Sequence, residues 1–440
     1  MTNDLRTPDE IEMERALPNP TKVAALASAS ADQMWIYLLK RLLSRFIKEG
    51  RLSVTLPGHP VMRFGSGREE VVAVSLRDAR TARRVLLDPE LTVGECYSDG
   101  SLRVENDDIQ AFLSLLIRNS KRLHTLSVAA RLGHLRRSLL RRVHQANSGA
   151  TSLKNVSHHY DLTPAIYDLF LDVDRQYSCA YFAAPDMTLE AAQAAKKAHI
   201  ARKLLIEPGM RVLDIGCGWG GMALTLARDY GARVTGITLS REQLAIARQR
   251  AVDAGLADRV NFELVDYRKV EGQFDRIVSV GMFEHVGAPN FDTFFNVVRE
   301  HLTEDGVALV HTIGSTAPPT PTNPWIAKYI FPGGYVPTLS EVGTAIQNTG
   351  LRIADIEFLR LHYAFTLRHW FDRFSAKADV AASLIDETFV RAWRYYLAAS
   401  EQTFRHTAQD VFQIQLSKKV DAVPITRNYL YAQPASTAHP

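Results

Sequence analysis

Val212-Leu213-Asp214-Ile215-Gly216-Cys217-Gly218-Trp219-Gly220-Gly221 reads as a buried strand that runs into a glycine-rich turn and opens a helix over Met222 to Tyr230. Glycines let the backbone approach a ligand closely, and the helix start offers free N–H groups to a carboxylate. The third glycine of the dinucleotide spacing is displaced and Asp214 precedes the turn. That favours a cofactor carrying an amino acid over NAD, with Asp214 placed to pair with an ammonium group.

Around this turn, strands alternate with helices: Arg211 to Ile215, Arg233 to Thr238, Val260 to Val265, Phe274 to Val280 and Val307 to Ile313 are the strand candidates. The alternation implies an α/β fold with a doubly wound, mostly parallel sheet. The second strand ends without a carboxylate, so Thr238 and Gln243 are the candidates for a ribose, with Ser240 as an N-cap. Asp266 ends the third strand as a candidate for an adenine edge, and Tyr267 can cover the ring. From Ser315 to Gly334, Pro318, Pro319, Pro321, Pro324, Pro332 and the neighbouring Pro337 exclude a helix or central strand, which predicts a loop acting as a lid near 315–337.

The chain has 440 residues, 46% hydrophobic and 23% charged, a length that fits two domains. Its net charge of +4 gives no case for nucleic acid. Lys40, Arg41, Arg45, Lys48 and Arg51 crowd one early segment, and Arg131, Arg136, Arg137, Arg141 and Arg142 another. Met34 to Ile47 carries Trp35, Leu38, Leu39, Leu42, Leu43 and Phe46 at helical spacing, so this basic helix either faces a core or lies on a membrane surface. Leu52 to Phe64 and Glu70 to Ser75 read as strands and Arg77 to Leu87 as a helix, giving a smaller mixed α+β domain. Its boundary falls near Gly149, which divides the chain into 1–150 and 151–440. Residues 1–31 are polar enough to be disordered by default. The N-terminal stretch does not read as a signal peptide, no stretch is apolar enough to span a membrane, and Cys96, Cys179 and Cys217 suggest neither a disulfide framework nor a zinc site, so the expected location is the cytoplasm. The pair His158-His159 lacks further ligands at zinc spacing, so no metal is assigned; Tyr160 beside it is a candidate for the cofactor.

Seven motifs then occur in one order: NVSHHYD (Asn155 to Asp161), YSCAYF (Tyr177 to Phe182), VLDIGCGWGG, TLSREQ (Thr238 to Gln243), MFEHVG (Met282 to Gly287), HTIGS (His311 to Ser315) and FPGG (Phe331 to Gly334). Together they resemble the cyclopropane fatty-acid synthases, a class I methyltransferase family, from Asn155 to about Phe374. Arg84 to Asn106, with VGECYSDG, resembles the N-terminal domain of its longer bacterial members. The resemblance implies S-adenosylmethionine as cofactor, touched by Tyr177, Ser178 and the TLSREQ residues Thr238, Leu239 and Gln243, besides Tyr160, Asp214, Gly216, Gly218, Asp266 and Tyr267. It also implies a bicarbonate ion held by Cys179, Glu284, His311 and Tyr363, with the backbone of Ile313.

An alkene is a poor nucleophile and a sulfonium a strong methyl electrophile, so transfer leaves a carbocation from which a base must take a proton in a water-free cavity. The expected substrate is an unsaturated phospholipid in a membrane surface, the expected product a cyclopropane, and the expected location the inner membrane face, held peripherally by the basic domain. A homodimer through that domain is an equally open use of its apolar stripes. A methyl or methylene branch, a small-amine methyltransferase and a lipid-binding protein without catalysis are the competing readings. Residue by residue, simpler roles also stand: Cys179 as packing, His311 as a strand-end histidine, Glu284 as a helix-start carboxylate.

Overall fold

The computed structural model describes residues 20–122, 132–133, 135–138 and 163–431. The chain divides into two units, Met1–Asp108 with Asn119–Arg131, and Ile109–Arg118 with Leu132–Pro440. The division therefore comes earlier than Gly149, which lies outside the described residues.

In the first unit, α1 (Pro20–Phe46) precedes β1 (Gly50–Thr55), β2 (Met62–Ser66), β3 (Val71–Leu76), α2 (Ala79–Leu87), α3 (Pro89–Ser98) and β4 (Leu102–Val104). The sheet order is β2-β1-β3-β4, with β1 antiparallel to β2 and parallel to β3. On α1, Ile36, Leu39 and Phe46 are buried while Lys40, Arg41 and Arg45 are exposed. The stripe thus packs on its own unit and the cations form the solvated back. The helix begins at Pro20, so the disorder expected over residues 1–31 does not hold for 20–31; the alanine-rich run there has high helix propensity.

The second unit opens with α4 (Ile109–Asn119) and continues with α5 (Leu189–Leu204), β5 (Arg211–Ile215), α6 (Gly221–Tyr230), β6 (Arg233–Thr238), α7 (Arg241–Asp253), β7 (Val260–Leu264), β8 (Phe274–Val280), α8 (Phe291–His301), β9 (Leu302–Ser315), α9 (Pro324–Tyr329), α10 (Leu339–Thr349), β10 (Arg352–Phe358), α11 (His362–Ala376), α12 (Ala378–Leu384), α13 (Glu387–His406) and β11 (Gln409–Ser417). The sheet order is β10-β11-β9-β8-β5-β6-β7. Strands β5 to β9 pair in parallel, and β11 runs antiparallel between β9 and β10. Side chains alternate between two apolar clusters: Leu213, Ile215, Ile237 and Ile277 join one, Val212, Val234, Val278 and Leu309 the other. A sheet covered on both faces needs such near-continuous apolar strands.

Helix α4 joins this unit through polar contacts with α13: Gln110 Nε2 donates to Glu401 Oε2 (2.9 Å) and Gln402 Nε2 donates to Gln110 Oε1 (2.8 Å). The proline-rich excursion contains the helix α9 that the proline count had excluded. Pro324 occupies the first turn, where its missing N–H costs nothing, and Asn323 accepts from Trp325 N and Ile326 N at 3.0 and 3.2 Å. Ser315 N donates to Pro337 O (2.9 Å), which closes the base of the excursion.

Candidate active site

A cleft opens at the carboxyl ends of β5, β6, β7 and β8, where the chain leaves each strand for the next crossover. Tyr177, Ser178, Asp214, Gly216, Gly218, Thr238, Leu239, Gln243, Asp266 and Tyr267 all line it. Tyr160 lies outside the described residues, as do His158 and His159.

Gly216 has φ +80°, and a Cβ there would lie 2.7 Å from Met282 Cβ, so the turn after β5 tolerates no side chain. At Gly221, the first residue of α6, a Cβ would collide with Gln176 and Asp174, so residues 174–176 pack directly on the helix start. Asp214 is 2% exposed and its Oδ2 has no hydrogen-bond partner. Burial raises its carboxyl to about 7, only partly opposed by Lys196. A buried acid without a partner beside a glycine turn suits the ammonium end of an amino-acid cofactor. Thr238 Oγ1 donates to Gln243 Oε1 (3.2 Å), and Ser240 Oγ accepts from Gln243 N (3.2 Å), so the N-cap and the ribose candidates form one cluster. Asp266 is engaged by Arg268, whose backbone N and Nε donate to Oδ1 at 3.0 and 2.8 Å.

None of the second residue set lines the cleft. Glu284 Oε1 accepts from Ile313 N (2.7 Å), while its Oε2 is buried and unpartnered. Burial raises the Glu284 carboxyl to about 7. His311 is 2% exposed, contacts Gln413 Nε2 through Nδ1 (3.1 Å), and is held neutral by burial. Cys179 is likewise buried, which pushes its thiol far above the usual range; its Sγ points at Ala180 O (3.3 Å). Tyr363 packs on Trp370 and Phe404, with centroids 5.9 and 4.9 Å away. The structure therefore joins Glu284 directly to Ile313, while Cys179, His311 and Tyr363 stand on different elements with contacts of their own.

Helix α11 fixes the YSCAYF segment: Ala180 N donates to Thr366 Oγ1 (3.0 Å) and Phe182 N to His362 Nδ1 (2.9 Å). Tyr177 and Tyr396 share a hydroxyl contact of 3.0 Å, and Tyr177 lies 5.2 Å from Trp370 and 5.5 Å from Tyr167. The excursion after β9 reaches the same region, since Tyr335 N donates to Glu284 O (2.9 Å) and the Phe331 ring lies 6.1 Å from His285. Aromatic faces thus cluster beside the buried polar residues.

Residues 147–414, well over half of the chain, match the family described as mycolic acid cyclopropane synthetase. The chain belongs to that family. It is 39% identical to the cyclopropane-fatty-acyl-phospholipid synthase of Escherichia coli K12 over 77% of this chain and 86% of that protein. It is 42% identical to a probable fatty acid methyltransferase of Pseudomonas putida over 64% of this chain and 74% of that one. A crystal structure of the mycolic acid cyclopropane synthase CmaA1 with SAH and CTAB bound superposes with a TM-score of 0.58 at 34% identity, covering 60% of this chain and 97% of that one. The fold is accordingly that of a class I methyltransferase, and the protein is an S-adenosylmethionine-dependent enzyme.

Several cleft residues were not singled out from the sequence: Arg175, Gln176, Trp219, Met222, Gly281, Met282 and His285. Trp219, Met282 and His285 belong to quoted motifs, which was the available signal. Lys196, buried on α5 behind the cleft, had none, because an Ala-Lys-Lys-Ala run on a helix reads as solvated surface.

Proposed function

We propose that this enzyme transfers a methylene unit from S-adenosylmethionine to a cis double bond of an unsaturated phospholipid acyl chain, and that Glu284 would help hold a bicarbonate ion, which would supply a base for ring closure. The relatives' activities support the reaction class. The single observation carrying the reading is a glycine-turned cleft with an unpartnered Asp214 Oδ2, whose 282–286 wall also carries Glu284 with its Oε2 buried and unpartnered.

The bound cofactor supplies an electrophilic methyl group. Asp214 holds its ammonium end, and the walls at Tyr177 and Tyr267 enclose it. Glu284 Oε2, buried and unpartnered, would hold a small anion by donating when protonated, with Cys179, His311 and Tyr363 as the further holders that the family resemblance implies. The Ile313 N–H is already spent on Glu284 Oε1, so in this arrangement it positions the carboxyl rather than touching the anion. Water is kept out by Tyr177, Trp370, Tyr363 and Phe404, whose faces also favour a cation on the acyl chain.

No described helix is long and apolar enough to cross a membrane. A phospholipid substrate then requires docking at a surface, and we assign this to the exposed cations of α1, Lys40, Arg41 and Arg45, at the inner membrane face. The Pro-rich excursion would act as a lid over the acyl chain through Phe331 and Tyr335. A second reading, a methyl or methylene branch in place of the ring, is favoured by the likeness to the probable fatty acid methyltransferase. Labelled S-adenosylmethionine with monounsaturated phospholipid vesicles separates the two. Acyl chains heavier by one CH₂ with cyclopropane protons in NMR support ring formation, branched-methyl or olefinic signals support the second reading, and no lipid product sinks both.

A further inference from the structure

Residues 176–178 form one wall of the cofactor cleft, and α5 runs behind them without itself lining it. Gln193 and Lys196 are three residues apart on α5 and so share a face. Gln193 Nε2 donates to Gln176 O (3.2 Å) and Ser178 O (2.9 Å); Lys196 Nζ donates to Gln176 Oε1 (2.6 Å) and Ser178 Oγ (2.9 Å). Both side chains belong to residues that are 0% exposed. The arrangement is costly, since Gln193 Oε1 is left unpartnered and burial pulls the Lys196 ammonium down to about 8 against the opposing pull of Asp172. A lysine serving only as structural glue would sit against a carboxylate, as the adjacent Lys197 does with Asp174. Lys196 instead directs its N–H groups at two neutral oxygens of residues that face the cofactor.

An ammonium has donors and no acceptor. Ser178 Oγ must therefore accept from Lys196, and its own O–H is left to donate elsewhere. Gln176 is oriented in the same way: Oε1 faces Lys196 and Nε2 donates to Asp174 Oδ2 (3.0 Å). Asp172 completes the hold by accepting from Gln176 N (2.8 Å).

We propose that Lys196, seconded by Gln193, is a positioning residue for cofactor binding: it fixes the 176–178 wall and sets the Ser178 hydroxyl as a donor toward an acceptor on the bound cofactor. This rests on the cleft being the S-adenosylmethionine site, which wild-type binding tests separately. Titration calorimetry of full-length wild type, K196M, S178A and the double variant with S-adenosylmethionine reads the coupling. Loss of a hydrogen bond to a charged group predicts a dissociation constant raised about tenfold to a hundredfold in K196M, with the double variant no worse than the weaker single one. Melting temperature and the KM for lipid vesicles should stay close to wild type. Unchanged cofactor affinity in K196M, losses that multiply in the double variant, or affinity that falls only in step with melting temperature would each overturn the proposal. Should K196M fail to fold, Q193M carries the same cycle with S178A, and multiplied losses there overturn it equally.

Discussion

Replacing Asp214 by Asn separates the cost of this buried acid from its use. Its carboxyl is raised from 3.8 to about 7 by burial, a shift of about 3 units and so about 4 kcal/mol of differential free energy. The folded-state value lies above the unfolded one, so stability associated with the bound proton is present at low pH and is lost as pH rises from about 4 through about 7. Without cofactor, D214N should therefore melt higher than wild type at about pH 8, by roughly 5 °C or more if most of that free energy is recovered. Cofactor binding should show the opposite preference. An ammonium beside Asp214 favours the carboxylate, so wild-type affinity for S-adenosylmethionine should strengthen up to about tenfold per unit between about pH 5.5 and the carboxyl's value near 7, a range in which an α-amino group stays protonated. D214N should bind about tenfold to a hundredfold more weakly at about pH 7.5 and lose this slope. Differential scanning fluorimetry and calorimetry at matched ionic strength read both. A flat wild-type affinity profile, or a D214N that melts lower than wild type without cofactor at about pH 8, would refute the argument.

Three further outcomes follow from the same geometry. E284Q should lower kcat by about a hundredfold or more while leaving cofactor affinity within about threefold, because the carboxyl that holds the anionic base is lost and the cleft is not; since the protonated carboxyl is the form that donates to that anion, the fall of activity as pH rises through about 7, where Glu284 ionises, should vanish in the variant's rate profile. G216A places a side chain at φ +80° against Met282 and should cost about 1–3 kcal/mol in urea unfolding together with most cofactor binding. T366V leaves the Ala180 N–H without its acceptor, which should cost about 1–3 kcal/mol and raise the cofactor KM, since the segment bearing Tyr177 and Ser178 is released; steady-state kinetics and denaturant titration check both.

The lining of the cleft was legible because its segments are local. A strand, a tight turn and a helix start are consecutive in sequence, so Asp214, Gly216 and Gly218 announce themselves within a few residues. Thr238, Gln243, Asp266 and Tyr267 follow from the rule that parallel strands deliver their ends to one edge. The strands β10 and β11 were missed for the opposite reason. Arg352–Phe358 lies near the edge with Ile353 and Phe358 exposed, and Gln409–Ser417 carries buried Gln413 and Gln415 where an inner strand is expected to be apolar. Gln413 is there to meet His311, and Gln415 Nε2 donates to Lys203 O (2.5 Å), partners that only the folded chain supplies.

By itself the sequence determined the sheet's parallel core, the glycine turn and the family, since all three rest on spacing within contiguous segments. Only the tertiary structure decided that Ile313 serves Glu284, that α11 pins residues 180–182, that α4 belongs with α13, and that Lys196 is buried behind the cleft rather than solvated. Each of these joins residues far apart in the chain, and hydrogen-bond partners at such separations leave no periodic trace in the sequence of either segment.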